Sequence, residues 1–156
     1  MDRTKSVHAG LKLLVAVLGL AGTASAGGYS VEAMLGTAST TQWWEPATNW
    51  SGHLLYRFDQ MILFGPGIGY EGATGKPSGM ADGKLQVRLP VGRQLLPYLA
   101  GEAGVALRPH VEDSWFLWRL GGGLDLKLGD RSSLLAESGW TALDRWYLRG
   151  GLLLDL

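Results

Sequence analysis

The sequence feature that most constrains the fold is a repeated alternation of apolar and polar residues. Such alternation is typical of β-strands that have two different faces. Trp118 and Leu120, for example, lie on one predicted face, and Arg119 lies on the other. The alternation is clearest in segments 84–91, 116–128 and 146–156. Weaker alternation predicts five further strands, at 29–37, 50–58, 61–70, 95–107 and 133–142.

The connections between these strands predict how the strands are arranged. Loops rich in Thr, Pro, Gly or charge are expected at 38–49, 71–82 and 108–114, and shorter links at 59–60, 92–94, 129–132 and 143–145. Mostly long loops at one end and short turns at the other are typical of outer-membrane barrels. Strands of about ten residues are long enough to cross a bilayer at a tilt. The sequence therefore predicts an all-β fold, an eight-stranded antiparallel up-and-down transmembrane β-barrel. Because Pro66 lacks a backbone donor in mid-strand, we expect a bulge or an irregular third strand there.

Residues 1–26 have the three parts of a secretory signal peptide. Arg3, Lys5 and Lys12 form a basic start, an apolar run extends over residues 13–22, and Ala24-Ser25-Ala26 is a small-x-small cleavage site. The alternative is an uncleaved anchor, but the apolar run is about half the ~20 residues that a spanning helix needs. We therefore expect a signal peptide at 1–26 and a barrel domain at 27–156.

Aromatic residues help to decide which predicted face meets lipid. A soluble barrel or sandwich would turn its apolar face inward, whereas a membrane barrel turns that face outward. Aromatic side chains fall at strand ends on the side of the long loops, at Trp50, Tyr70, Trp115, Trp140 and Trp146. Tyr29 and Phe58 fall at the opposite end. Two such levels predict the aromatic belts of the two membrane interfaces.

Charged residues of both signs lie on the polar face of the predicted strands. We expect them to form a network inside the barrel, and its predicted members are Arg57, Lys84, Arg88, Glu102, Arg119, Asp125, Glu137 and Arg149. A last hairpin centred on residue 143 places Glu137 opposite Arg149 and Trp140 opposite Trp146. A turn around residue 93 likewise places Lys84 opposite Glu102. Near-balanced charge is what a closed interior requires, because an unpaired buried charge is costly.

The sequence offers no convincing catalytic, cofactor or metal site. It contains no cysteine, which rules out thiolate ligands and a Cys nucleophile. Equal numbers of acidic and basic residues, 14 of each, argue against nucleic-acid binding. His53 lies two residues from Ser51 on the predicted inward face, but no carboxylate follows closely in sequence to orient the ring. His110 lies in a predicted loop with acidic neighbours, a spacing too loose to predict a metal site.

The C-terminal segment resembles the terminal signature of bacterial outer-membrane barrels. Arg149, Gly151, Leu154 and Leu156 occupy its polar, glycine and two hydrophobic positions. The departure is Leu156, where that signature usually has an aromatic residue. Segments 97–105 and 120–128 look like strands of small porin-like barrels of the OmpA transmembrane-domain and OmpX type. The resemblance implies an outer-membrane location, contact with membrane lipid and recognition of the last strand by the barrel-insertion machinery.

That resemblance favours a non-enzymatic role, either structural or exerted through surface loops. The predicted contact surface comprises loop 39–49, with Trp43 and Trp44, and loop 71–82. Loops on a rigid scaffold commonly carry such contacts. Two alternatives remain at this stage, a lipid-modifying outer-membrane enzyme similar to lipid A deacylases and a soluble, lipocalin-like periplasmic carrier. The sequence does not identify an extracellular partner.

Overall fold

The computed structural model of the protein describes residues 28–40, 47–58, 61–73, 76–89, 91–107, 116–142 and 145–156. Its strands are β1 (Tyr29–Thr40), β2 (Ala47–Arg57), β3 (Ile62–Ala73), β4 (Lys76–Arg88), β5 (Leu95–Ala106), β6 (Phe116–Lys127), β7 (Ser132–Thr141) and β8 (Arg145–Asp155). No helix in these ranges is long and apolar enough to cross a membrane. The predicted signal peptide at 1–26 lies outside the described residues.

The eight strands form one closed antiparallel barrel. Each strand pairs with the next along the chain, and β1 pairs with β8 to complete the sheet. Closure satisfies the backbone groups that an open sheet would leave unpaired at its edges. The predicted fold class is confirmed. We call the end at which Gly28 and Leu156 lie the terminal end, and the opposite end the loop end.

Two of the predicted loops are shorter in the structure. Strand β3 continues to Ala73 and β4 begins at Lys76, so the predicted loop 71–82 is wrong. Gly79 and Gly83 fall on the outward face of β4, where the absence of large apolar side chains conceals the alternation. The ends of the predicted loop 38–49 also belong to β1 and β2.

No bulge accompanies Pro66. The β2–β3 ladder has the same register on both sides of this residue, with His53 opposite Gly67 and Tyr56 opposite Phe64. Only the two residue pairs between these positions are missing from the ladder. On its other side Pro66 lies opposite Gly83 of β4 in an unbroken register. The barrel therefore accommodates the proline through a local gap in one ladder and without an inserted residue.

The distribution of side chains between the two faces is the reverse of that in a water-soluble protein. Outward-facing leucines are largely exposed, with values of 61% for Leu99 and 63% for Leu120. Inward-facing charged residues are buried, with exposure of 0% for Glu32 and 2% for Arg149. Charged residues are almost never fully buried unless they are paired. The partners of the interior charges therefore determine whether this fold is stable.

The interior also contains an apolar layer that the sequence analysis did not predict. Leu55, Leu63, Leu135 and Leu153 are 0–4% exposed and pack together with Met34, Tyr98 and Ala100. Leu55 occupies the inward position between His53 and Arg57, which places this layer between the middle of the barrel and its terminal end. The interior is thus layered rather than charged throughout.

Two interior tyrosines fill space left by glycines. A Cβ atom at Gly121 or Gly139 would collide with the hydroxyl of Tyr147, and one at Gly123 would collide with the ring of Tyr98. Both tyrosines are buried and lie on the strands that flank this glycine-rich stretch. Close packing of this kind holds the two phenol groups at fixed positions next to the interior charges.

Candidate functional site: the charged interior

A set of buried ionisable residues from six strands meets in the middle of the barrel. We call this set the central network, and its members are Glu32, His53, Asp82, Lys84, Glu102, Glu137 and Arg149. Each occupies an inward-facing position of its strand, so the closure of the barrel brings together residues distant in sequence. All seven are more than nine-tenths buried, and each therefore needs a partner within the protein.

Lys84 connects three walls of the barrel. Its Nζ donates to both carboxylate oxygens of Glu32, at 2.7 and 2.9 Å, and to Glu137 Oε2 at 3.1 Å. Glu102 Oε1 lies 3.6 Å from the same nitrogen and directly opposite in the β4–β5 ladder. The predicted register of Lys84 with Glu102 is confirmed. An ammonium group has three donors, and the carboxylates around it take them up.

Arg149 is the second cationic centre of the network. Its Nε and Nη2 donate to Glu137 Oε1 at 3.0 and 2.5 Å, and its Nη groups also bind Glu102. Nη1 donates to Ser51 Oγ at 3.0 Å. Glu137 lies opposite Arg149 in the β7–β8 ladder, as the sequence predicts. The planar guanidinium, with donors on several sides, suits this position between two carboxylates.

Glu137 receives hydrogen bonds from more than its opposite residue. The hydroxyl of Tyr98 donates to Oε2 at 3.1 Å, and that of Tyr147 donates to Oε1 at 2.9 Å. These phenols are the ones held in place by the glycines of β6 and β7. Hydrogen bonds to an ionised carboxylate are stronger than those between neutral groups. Glu137 is therefore a central acceptor of the network.

His53 lies between carboxylates contributed by other strands. Its Nδ1 is 3.1 Å from Glu32 Oε1, and its Nε2 is 3.1 Å from Asp82 Oδ1. The sequence pattern predicts His53 on the inward face but offers no carboxylate close in sequence. Glu32 lies directly opposite His53 in the β1–β2 ladder, 21 residues away in sequence. Asp82 lies 29 residues away on β4, which is not adjacent to β2, and meets the ring because the sheet curls into a barrel. Asp82 was also missed because it falls in the wrongly predicted loop 71–82.

Further ion pairs lie on either side of the central network. Arg119 Nη1 donates to Glu102 at 2.9 Å, and Arg145 binds Glu71 at 3.0 Å near the loop end. Glu71 also falls within the wrongly predicted loop. Towards the terminal end, Arg88 is 2.5 Å from Asp125, and Arg57 binds Asp155.

The structure thus places the eight predicted network residues in separate groups. Five of them belong to one connected set, namely Lys84, Glu102, Arg119, Glu137 and Arg149. Arg88 with Asp125 forms a separate pair, as does Arg57 with Asp155. Glu71 and Asp82 were missed by the sequence-based prediction, because both fall in the wrongly predicted loop 71–82.

Outward-facing aromatic side chains cluster towards the two ends of the barrel. Towards the loop end, the rings of Trp50 and Tyr70 stack at 6.3 Å, and Trp140 meets Trp146 edge-on at 5.6 Å. Trp140 and Trp146 lie opposite each other, as predicted. Trp115 lies outside the described residues. Towards the terminal end, Tyr29, Tyr56 and Phe64 form a row of edge-on contacts.

The residues of the predicted insertion signature belong to the closing strand pair. Gly151 faces inward, where a Cβ atom would collide with the backbone of Ala33 on β1. Leu154 lies opposite Val31, and the amide of Leu156 donates to the carbonyl of Tyr29 at 3.0 Å. These contacts tie the end of the chain to the first strand.

The geometry gives no sign of hydrolytic chemistry at Ser51 and His53. Both ring nitrogens of His53 face carboxylates, and the hydroxyl of Ser51 accepts from Arg149. Atoms of Glu32, His53 and Glu102 lie within 4.8 Å of one another, a spacing that would suit a metal ion. The ammonium of Lys84, however, already binds Glu32 in this cluster and lies close to Glu102. The cations of the chain itself therefore neutralise these carboxylates.

Comparison with known proteins identifies the fold but no family. The sequence matches no protein-family model and no curated protein. Among solved structures, it is similar to a de novo designed transmembrane β-barrel, with a TM-score of 0.65, 14% identity and coverage of 85% of this chain and 98% of the other. Neisserial surface protein A (NspA) matches with a TM-score of 0.64, 12% identity and coverage of 85% and 100%. The N-terminal barrel domain of Pseudomonas aeruginosa OprF matches with a TM-score of 0.54, 12% identity and coverage of 81% and 97%.

Proposed function

We propose that this chain is a non-enzymatic protein of the bacterial outer membrane, closed in the middle by its central network. Its role is either structural or exerted through contacts at the loop end. The observation that carries the proposal is the exposed apolar belt around a buried, charged interior. The similar barrels of NspA and OprF support the same environment.

The size of the apolar belt argues for lipid as its solvent. Among the described residues, 25 large apolar side chains are at least 39% exposed. Completing the burial of each would contribute about 1 kcal/mol, so lipid would contribute on the order of 20 kcal/mol in all. This exceeds the typical 5–15 kcal/mol stability of a whole domain. A water-soluble, lipocalin-like carrier would leave that contribution unused, and it would need an apolar interior where this barrel is charged.

The height of the belt also matches a bilayer. On β8 the outward-facing row extends from Trp146 to Leu156, ten residue steps along a strand. At about 3.3 Å per residue and a tilt of about 40°, this row spans about 25 Å. That is the height of the apolar band on outer-membrane barrels. The aromatic clusters lie towards the two edges of this band.

The filled interior supports a closed barrel rather than a diffusion pore. Eight-stranded barrels have room inside mainly for side chains. Here charged groups from opposite walls contact each other directly, as when Lys84 of β4 binds Glu32 of β1 and Glu137 of β7. Contacts with partners would then depend on the loop end, where segments 41–46 and 108–115 join strands and lie outside the described residues.

Membrane fractionation and conductance measurements test this proposal. We expect the protein to sediment with the outer membrane and to migrate differently on gels before and after heating, as folded barrels do. In planar bilayers it should produce no wide-pore conductance. Recovery as a folded protein in the soluble periplasmic fraction would refute the membrane assignment. Steady nanosiemens conductance would refute the closed interior.

A further inference from the structure

The described interior contains one more acidic group than permanent cations. The acidic groups that contact basic side chains in the interior are Glu32, Glu71, Asp82, Glu102, Asp125, Glu137 and Asp155, and the basic partner of Asp82 is His53. The permanent cations that contact them are Arg57, Lys84, Arg88, Arg119, Arg145 and Arg149. Seven carboxylates facing six cations would leave one negative charge unbalanced. A surplus buried charge is strongly unfavourable, so a further positive charge is expected.

The surroundings of His53 identify where that charge resides. One ring nitrogen faces Glu32 and the other faces Asp82, both at 3.1 Å, and Glu102 Oε1 lies 4.0 Å from Nε2. An ionised carboxylate can only accept hydrogen bonds, and a neutral imidazole has only one N–H to donate. Both contacts are satisfied at once when both nitrogens carry a proton.

A neutral ring next to a protonated Asp82 would balance the charges equally well. Ordinary acidities argue against that state, because a free imidazole binds a proton about 2.5 pH units more tightly than a free aspartate. The second carboxylate, Glu32, is bound by Lys84 and remains an acceptor for the other ring nitrogen, Nδ1. The proton between His53 and Asp82 is therefore expected on the ring.

The charged groups around His53 come from four other strands, and a fifth strand packs against the ring. β1 contributes Glu32, β5 contributes Glu102 and β4 contributes Asp82. Lys84, also on β4, binds Glu32. β8 contributes Arg149, which binds Glu102 and the hydroxyl of Ser51. On β3 the ring packs over Gly67, where a Cβ atom would collide with it. The direct polar contacts of the ring are thus all with carboxylates.

We propose that His53 is an imidazolium in the folded barrel and completes the charge balance of its interior. The carboxylates of Glu32 and Asp82 stabilise the protonated ring, so it keeps its second proton at a pH at which a free imidazole is neutral. The stability that this cation contributes is fully present below a pH of about 6.5, where an unfolded histidine is also protonated. Above that pH the unfolded histidine loses its proton while the folded one keeps it, so the stability falls progressively until the ring in the folded barrel is also deprotonated. The barrel should therefore lose stability under alkaline conditions.

Nitrogen NMR of the ring provides the direct test. A background carrying His8→Gln and His110→Gln leaves His53 as the only histidine, and the protein is studied folded in detergent micelles or nanodiscs. At pH 8, where a free imidazole is almost entirely neutral, we expect the ¹⁵N resonances of two protonated ring nitrogens. A neutral tautomer at pH 8 would overturn the proposal. So would a metal-bound nitrogen signal that disappears with a chelator.

A charge-compensation series provides the second test and a matched control. His53→Gln leaves the interior one negative charge in excess, whereas His53→Gln with Asp82→Asn restores the balance of six and six. We expect the double variant to unfold at a higher urea concentration than His53→Gln alone. Between pH 7 and 9 the unfolding constant of the wild type should increase, by up to tenfold per pH unit, and that of the double variant should change much less. Equal midpoints for the single and double variants, or identical pH profiles for the wild type and the double variant, would contradict the proposal.

Discussion

Removal of Glu137 and Arg149, singly and together, tests whether the interior charges stabilise the barrel as a coupled set. Glu137→Gln preserves the shape of the side chain but removes its charge, on which two cations and two phenols converge. Arg149→Met removes the cation that joins Glu137 to Glu102. Breaking a buried ion pair on one side costs about 3–5 kcal/mol, because the remaining charge has lost its partner. Each single variant should be destabilised by about this amount.

The double variant should cost less than the sum of the two single changes. When Glu137 is already neutral, removal of Arg149 leaves only the negative charge of Glu102 without that partner. Lys84 and Arg119 still lie close to Glu102 and neutralise its charge. Residues in one ion-pair network typically show coupling energies of about 0.5–3 kcal/mol. Because Arg149 Nε and Nη2 both contact Glu137, we expect a coupling in the upper half of this range.

Reversible urea unfolding in detergent micelles measures this coupling, with tryptophan fluorescence and heat-modifiable gel mobility as independent readouts. Glu137→Gln combined with Arg57→Met is a matched control, because Arg57 pairs with Asp155 and shares no ion-pair partner with Glu137. The control cycle should give a coupling of less than about 0.5 kcal/mol. If the Glu137–Arg149 cycle gave the same small value, the claim of a coupled interior would be refuted.

Three further tests concern the outward face, the packing of the interior and the last strand. Leu124→Arg, near mid-depth, should cost about 2–4 kcal/mol of folding free energy in lipid. Leu128→Arg, at the terminal end, should cost only about 0–1 kcal/mol. Equal effects of the two substitutions would argue against a membrane environment. Gly67→Ala should destabilise by about 1–3 kcal/mol, because its Cβ would press on an imidazole ring and on backbone. At Gly83 an added Cβ would have its nearest neighbouring atom at 4.0 Å, so Gly83→Ala should change the free energy of unfolding in urea by less than about 0.5 kcal/mol. An equal loss of stability in both glycine variants would contradict this account. Deletion of residues 154–156 should abolish the heat-modifiable outer-membrane form, and normal insertion of the shortened chain would show that this segment is dispensable.

Sequence alone could predict the features that depend on local periodicity. Alternation in β6 and β8 showed which residues share a face, and a hairpin centre at residue 143 was enough to pair Glu137 with Arg149 and Trp140 with Trp146. A two-residue period and a short turn fix a hairpin register without reference to the rest of the chain. For this reason the last hairpin and the β4–β5 hairpin agree with the structure.

Sequence periodicity could not predict the features that arise when the sheet closes into a barrel. The contact of His53 with Asp82 joins β2 to β4, two strands that are not neighbours in the sheet. Leu55 and Leu63 occupy positions on the inward face that the sequence analysis expected to be polar, so the apolar layer had no periodic signal. Strand β4 was predicted too short because glycines, Gly79 and Gly83, occupy outward positions where large apolar side chains would have shown the apolar–polar alternation.

Closure also resolves the ambiguity that alternation leaves between the two faces. The same alternating strand can bury its apolar side in water or expose it to lipid. In this barrel, the inward positions of β4 hold Asp82, Lys84, Gln86 and Arg88 within a narrow interior. Lys84 and Arg88 can be buried there because Glu32, Glu137 and Asp125 face them from other walls, and Asp82 faces His53. Because the charged groups satisfy one another inside, the narrow interior has room for only one small apolar layer, and most of the large apolar side chains face outward. An apolar solvent around the barrel therefore follows from the contents of its interior.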